Sequence, residues 1–241
     1  MKEFFPFQLV VMDTQHHIPL EGFRENNMTI LGYINLGEIE ERQHIFKDPL
    51  IKQFLLQENP HWKGSYFVDL RHKAWVKLVI EELIPQTLFA GFDGIFIDTL
   101  DNAEFLEQTD PEKFKGMKEA AGNLIKTIRY HYPGIKIMVN RAYYLLPVIG
   151  DIINMELGES VYTTYNFKTK EYEFVSTEDY QLQVEILQKA KKDFKNLQVF
   201  TLDYWNPKDK EMYKNIYKLQ RDNGFTPYVS TLSLDTVITE P

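Results

Sequence analysis

The run GFDGIFIDTLDN, Gly91 to Asn102, starts as a buried strand and ends in two carboxylates, Asp98 and Asp101. Strand side chains alternate with a period of two, so Gly94, Phe96 and Asp98 share a face and Asp98 closes the hydrophobic register. The same ending recurs along the chain. Asp13 closes FQLVVMD; Tyr33, Asn35 and Glu38 lie along TILGYINLGE; Asp69 ends its run with Arg71 and His72 just beyond. Asn140 and Arg141 follow IKIMV, Glu156 sits in DIINMEL, and Asp203, Tyr204 and Trp205 end LQVFTLDYW. By the same alternation Met138 shares a face with Asn140, Asn154 with Glu156, and Thr201 with Asp203.

Carboxylates gathered at strand ends repel one another, which raises some pKa values. Two such acids suit cleavage of a glycosidic bond: one protonates the leaving oxygen, the other attacks the sugar or activates water. Asp98 and Glu156, from alternate strands, are the candidate pair. Tyr33, Trp62, Tyr143, Tyr165, Tyr204 and Trp205 offer platforms for sugar faces, and Asn35, Arg71 and Asn140 offer groups to bind hydroxyls or orient a carboxylate. Structural roles compete at several positions. Asp101 and Asp69 suit helix capping, Asp13 suits pairing with Arg71, and Arg71 suits an ion pair with Asp69. Tyr204 and Trp205 suit rim packing.

The elements that must position these groups alternate. Eight apolar runs, beginning at Phe7, Thr29, Gly64, Phe92, Ile135, Asp151, Leu197 and Phe225, read as strands. Helical patterns lie between several of them. One places Trp75, Leu78, Val79 and Leu83 on one face. Another opens at Asp110 and Pro111, a third at Ser176 with Asp179, and a fourth at Asn206 and Pro207, closing at Gly224. Strand–helix alternation predicts an α/β fold with a parallel sheet, and eight units in 241 residues predict a single (β/α)8 TIM barrel spanning 1–241, with a doubly wound open sheet as the rival. The segment from Glu40 to Lys63 reads as helices and a rim loop. The segment from Gly158 to Glu178 reads as a long loop of the kind that often carries function.

Composition narrows the chemistry. A net charge of −8 argues against a nucleic-acid partner and favours a neutral or cationic ligand. With no cysteine, thiolate catalysis and zinc–cysteine sites are excluded. His16 and His17 are adjacent and so point apart on an extended segment, and no histidine metal motif or glycine-rich phosphate loop is present. No cofactor and no metal are expected. The N-terminal MKEFFPFQLVVMD, interrupted at Pro6 and Gln8, does not read as a signal peptide, and no run approaches the roughly 20 apolar residues of a transmembrane segment.

Four ordered motifs, GYINLGEIE from Gly32, VDLRHKAW from Val68, GFDGIFIDTLDN from Gly91 and NMELGES from Asn154, resemble glycoside hydrolase family 114. That is the endo-α-1,4-polygalactosaminidase family, including members once described as cysteinyl-tRNA synthetase-like. The resemblance runs from about Phe7 to Tyr228. It implies a barrel that cleaves α-1,4-linked galactosamine polymers of extracellular or cell-surface exopolysaccharide. It places the family's essential acids on Asp98 and Glu156, its first-strand Asp on Asp13, its Gly-Glu on Gly37 and Glu38, and its Asp-Tyr on Asp203 and Tyr204. On that basis Glu156 is the proton donor and Asp98 the nucleophile or stabiliser. Asp13, Glu38 and Asp203 are then set to bind the ammonium of a cationic aminosugar, with Asp101 also at the substrate. A carboxyl separation of about 5 to 5.5 Å corresponds to retention and roughly 6.5 to 9.5 Å to inversion. The alternatives are a non-catalytic carbohydrate-binding barrel and a sugar-processing lyase or deacetylase.

Overall fold

The computed structural model describes residues 2–14 and 19–241. His16 and His17 lie outside the described residues. The backbone forms two compact units, one of Leu9–Ile153 and one of Asn154–Pro241 together with the N-terminal residues through Gln8.

The strands of the first unit are β1 (Leu9–Asp13), β2 (Thr29–Asn35), β3 (Glu38–Glu40), β4 (Leu55–Glu58), β5 (Ser65–Val68), β6 (Gly94–Asp98) and β7 (Lys136–Asn140). Its helices are α1 (Glu21–Glu25), α2 (Lys73–Leu78), α3 (Ile84–Phe89), α4 (Asn102–Thr109), α5 (Met117–His131) and α6 (Leu146–Ile149). β1, β2, β6 and β7 pair in that order, all parallel. Ile30, Leu31, Ile95, Ile97, Ile137 and Val139 have no exposed surface, as expected of parallel strands covered on both faces.

Several expectations are corrected. The run from Gly64 does not join the parallel sheet. Its core, β5, is the middle strand of a separate antiparallel sheet in the order β3-β5-β4. The cause is a tight turn between β4 and β5: Asn59 N donates to Ser65 O, Ser65 N to Trp62 O, and Gly64 sits at φ +81. Between α2 and α3 the chain makes a π-helical turn over Val79–Leu83, just before Pro85, which has no amide to continue the ladder. The extra residue shifts the buried stripe to Trp75, Val79, Ile80 and Ile84, leaving Leu78 and Leu83 half-buried. α5 starts at Met117, not Asp110, because Gly116 at φ +87 interrupts the helix, and Asp110 instead accepts from Lys113 N in a turn.

The second unit holds β8 (Met155–Glu159), β9 (Thr163–Asn166), β10 (Glu171–Phe174), β11 (Gln198–Tyr204), β12 (Thr226–Ser230), α7 (Thr177–Asp193) and α8 (Lys210–Asp222). β8, β11 and β12 are parallel, with β11 in the middle. The expected loop after Gly158 is largely an antiparallel hairpin, β9 with β10, which packs Tyr165 against Phe167 and Tyr172. The Ser176 hydroxyl caps α7 at Asp179 N as expected, whereas α8 is capped by Asp209 rather than Asn206. Among the described residues no helix is long and apolar enough to cross a membrane.

Close backbone approach fixes one glycine. A Cβ on Gly37 would sit 2.0 Å from the Thr99 carbonyl oxygen, where β2 turns into β3 against the end of β6. Gly37→Ala is expected to lower stability by about 1–3 kcal/mol, the usual cost of overpacking. Urea unfolding followed by circular dichroism measures it, and an unchanged midpoint would remove this contact as a constraint.

Candidate active site

In the first unit Asn140, one of the polar strand-end residues, meets Asp98 at the end of β6. Register places Asp98 opposite Asn35 of β2, and Phe96 opposite both Tyr33 and Met138. The Asp98 carboxylate accepts from the Tyr33 hydroxyl (2.6 Å), the Asn140 amide (3.0 Å) and Thr99 N (2.8 Å). These three donors lock the orientation of the group. Tyr33 also stacks on Phe96, with ring centroids 5.8 Å apart.

The next residue, Thr99, lies at φ +65, a left-handed conformation that is an outlier for a β-branched side chain. Its hydroxyl bonds Asn35 Oδ1 and receives Gly37 N, so the strained link is over-determined by its surroundings. Two further strand ends share this feature. Arg141 and Ala142, directly after Asn140, lie at φ +55 and +49, and Ser160, directly after Glu159, at φ +53. Strain of this kind concentrates at functional sites, and here it marks Asp98, Asn140 and Glu159.

The second unit separates two glutamates that lie three residues apart. Glu156 pairs with Val199 in register, hence shares a face with Thr201 and Asp203. That face packs against α8: Asp203 accepts from Gln220 of α8, and Val229, in register with Asp203, clusters with Tyr213, Ile216 and Tyr217. Glu156 has no exposed surface, and neither carboxyl oxygen has a hydrogen-bond partner among the described residues. Burial pushes its pKa well above the ordinary carboxyl range. Glu159 points to the opposite face. It is half-buried, and Tyr204, itself 4% exposed, donates its hydroxyl to Oε1 at 2.5 Å.

Other candidates settle into different roles. Asp203 does not reach a rim. It is fully buried and accepts from Tyr162 N, Thr163 N and Gln220; burial pushes its pKa up to about 6, against the lowering effect of these donors. Arg71 is not available to a ligand, because its guanidinium binds both Asp69 oxygens and the carbonyls of Lys113 and Lys115. Burial alone would raise the Asp69 carboxyl, but the hydrogen bonds and charge of Arg71 outweigh it and hold the group below the usual range. Glu38 is 4% exposed and holds neutral donors: Asn59 Nδ2 (2.7 Å), Asn102 Nδ2 (2.6 Å) and the Ser65 hydroxyl. It positions these residues rather than a ligand ammonium. Asn35 likewise is occupied, accepting from Glu38 N and Thr99. Asp13 ends β1 exposed, in register with Tyr33. Asp101 is half-exposed and does not cap α4; Arg141 Nε stands 4.0 Å away.

Glu159 is a further carboxyl at the end of β8 that the sequence reading did not single out. The signal was in the run itself: extending the strand from Met155 through Leu157 by strict alternation ends on Glu159.

The family model of glycoside-hydrolase family GH114 matches residues 2–241. The chain is 23% identical over 233 residues to the uncharacterized protein MJ1477 of Methanocaldococcus jannaschii, covering 88% of this chain and 63% of the relative. It is 24% identical over 222 residues to an uncharacterized protein of Thermotoga maritima, covering 85% and 66%. The chain thus spans about two thirds of the length of these curated relatives, 63% and 66%. Among solved structures, the glycoside hydrolase domain of PelA from Pseudomonas aeruginosa matches with a TM-score of 0.87 at 22% identity, over 99% of this chain and 93% of that one. Ega3 of Aspergillus fumigatus, solved in complex with galactosamine, matches with a TM-score of 0.70 at 12% identity, over 97% and 88%. At these identities the likeness speaks for the fold alone: the chain has the (β/α)8-barrel fold of glycoside hydrolases.

The placement of Glu156 has a consequence for stability. A carboxyl whose folded pKa is raised favours the folded state below its unfolded pKa, and that contribution is lost as pH rises toward the folded value. Relative to Glu156→Gln, the wild type should therefore lose up to about 1.4 kcal/mol per pH unit above about pH 4.3, and the two should converge below it. Thermal melts of both proteins from pH 4 to 8 measure the difference. A gap that does not widen with pH would show that the group is ionised in the folded state.

Proposed function

Because the chain belongs to glycoside hydrolase family GH114, we propose that it hydrolyses α-1,4-linked galactosamine polymers, with Asp98 and Glu159 as the reacting carboxyls. The observation that carries the assignment of residues is the strain at Thr99 and Ser160, each directly after one of these two acids. The substrate class draws on Ega3, whose structure holds galactosamine, and on the net charge of −8, which favours a cationic polymer.

Glu159 donates a proton to the glycosidic oxygen as the bond to the anomeric carbon breaks, and Tyr204 holds its carboxyl plane through Oε1. Asp98, oriented by Tyr33, Asn140 and Thr99 N, meets the positive charge developing at the anomeric carbon by attack or by electrostatic stabilisation. Water then adds to that carbon, breaking the bond to Asp98 where attack has formed one and returning its carboxylate, while the water proton passes to the carboxylate of Glu159. Glu156 takes no part. Asn140 positions Asp98, and Tyr204 positions Glu159.

Incubation with galactosamine oligomers and their N-acetylated forms, with products read by mass, tests this. The wild type is expected to cleave at least one form. Asp98→Asn and Glu159→Gln should each lower turnover by about 100-fold or more, the scale of general acid–base catalysis. Glu156→Gln should stay active. Loss of cleavage in Glu156→Gln with retention in Glu159→Gln, both variants folded, would return the acid to Glu156. Tight binding of oligomers without turnover would instead favour a carbohydrate-binding barrel.

A further inference from the structure

In the second unit three consecutive residues of β11 hold the stretch from Glu159 to Thr163. The Leu202 carbonyl accepts from Ser160 N at 2.7 Å. Asp203 Oδ1 accepts from Tyr162 N (2.7 Å) and Thr163 N (2.9 Å). The Tyr204 hydroxyl donates to Glu159 Oε1 at 2.5 Å. Asp203 and Tyr204 are neighbours on a strand and so point to opposite faces. β11 therefore grips the Glu159 carboxyl from one face and the chain that leaves it from the other.

We propose that Asp203 is a positioning residue for Glu159. Its carboxyl anchors the amides of Tyr162 and Thr163, and this keeps the turn at Ser160 in the conformation that sets the Glu159 carboxyl against Tyr204. What Glu159 does rests on the hydrolase reading; how Asp203 holds it does not.

Backbone strain persists only where the surroundings over-determine it. Ser160 lies at φ +53. Its N–H donates to Leu202 O, and its carbonyl accepts from Gln183 Nε2 of α7 at 3.1 Å. Asp203 supplies the next hold along the chain, two and three residues beyond Ser160, and without it the turn is pinned on its upstream side alone. The anchor is fixed in its turn: Asp203 has no exposed surface, and Gln220 Nε2 of α8 donates to Oδ2 at 2.7 Å. An apolar residue would fill this layer between β11 and α8 as well, but only an acceptor satisfies the two amides, one of which belongs to the fully buried Thr163. A purely local role predicts a cost in stability and nothing more. A positioning role predicts a defect confined to the step in which Glu159 gives up its proton.

A displaced general acid penalises a leaving group that needs a proton and spares one that does not. The test therefore compares kcat/KM for a galactosamine hexasaccharide with kcat/KM for the 4-nitrophenyl α-glycoside of a galactosamine trisaccharide, corrected for the folded fraction read by circular dichroism. Asp203→Ala should lower the hexasaccharide value by about tenfold, through kcat rather than KM, and the nitrophenyl value by less than about threefold. Asp203→Asn keeps an acceptor oxygen for both amides and should restore most of the loss. Gln220→Leu frees Oδ2 and should give the same pattern at about threefold on the hexasaccharide. Equal losses on the two substrates, or no loss on either, would overturn the positioning role and leave the hydrolase reading intact; should Asp203→Ala not fold, Gln220→Leu decides by the same comparison. A wild type that cleaves neither substrate ends the hydrolase reading, and the carboxyl 13C resonance of Glu159, assigned through Glu159→Gln, then decides. A resonance that moves in Asp203→Ala and returns in Asp203→Asn supports the hold on Glu159, and one unmoved in Asp203→Ala overturns it.

Discussion

The contact between Thr99 and the turn at Gly37 is the constraint on which the rest of the first unit's chemistry depends. The backbone of the two segments meets at a distance that leaves no room for a side chain at Gly37. The Thr99 hydroxyl ties both together by receiving Gly37 N and bonding Asn35. Forcing Thr99 into a left-handed conformation costs of the order of 1–3 kcal/mol, and this compact set of bonds offsets it. In return the chain leaves β6 sharply. Asp98 remains at the strand end, facing Tyr33 and Asn140, and Asn102 is delivered to the Glu38 carboxyl.

Glu38 shows how a buried carboxyl can order a site without touching a ligand. Burying a polar group is costly unless its oxygens are satisfied, and here Asn59, Asn102 and Ser65 satisfy them. These donors come from the turn after β4, from the first position of α4 and from the start of β5. One acidic group therefore holds three chain segments in a single arrangement. Removing it would leave several buried donors unmet at about 1–3 kcal/mol each, and the turn carrying Trp62 would lose its anchor.

Much of this was legible in the sequence, and the failures have definite physical causes. The alternation of Gly94, Phe96 and Asp98 read correctly because β6 is a short strand buried on both faces, with its polar residue at one end. The convergence of Asn140 on Asp98 followed from the same periodicity. The run from Gly64 misled because strand patterning reports a buried β segment but not its partner; a turn at Asn59–Ser65 decided that pairing. Arg71 looked available because sequence spacing does not show the two carbonyls that complete its shell. Asp203 followed the parity of β11 faithfully, but that parity leads to α8, as its bond to Gln220 shows.

The two glutamates of β8 make the sharpest case, since a slip of one residue in parity exchanges the faces of a strand. A general acid must lose its proton and regain it in every turnover, so it needs a group or solvent with which to exchange. Glu156, without exposed surface or a hydrogen-bond partner among the described residues, would have to ionise without solvent or a donor to stabilise the charge, which opposes a proton-cycling role. Glu159 carries the same side chain on the other face, half-buried and held by a tyrosine hydroxyl. That environment orients the carboxyl without sealing it off, and so allows the proton to cycle. On the proposed assignment, chemistry at this strand is decided less by which residue is acidic than by which face it occupies when the strand ends.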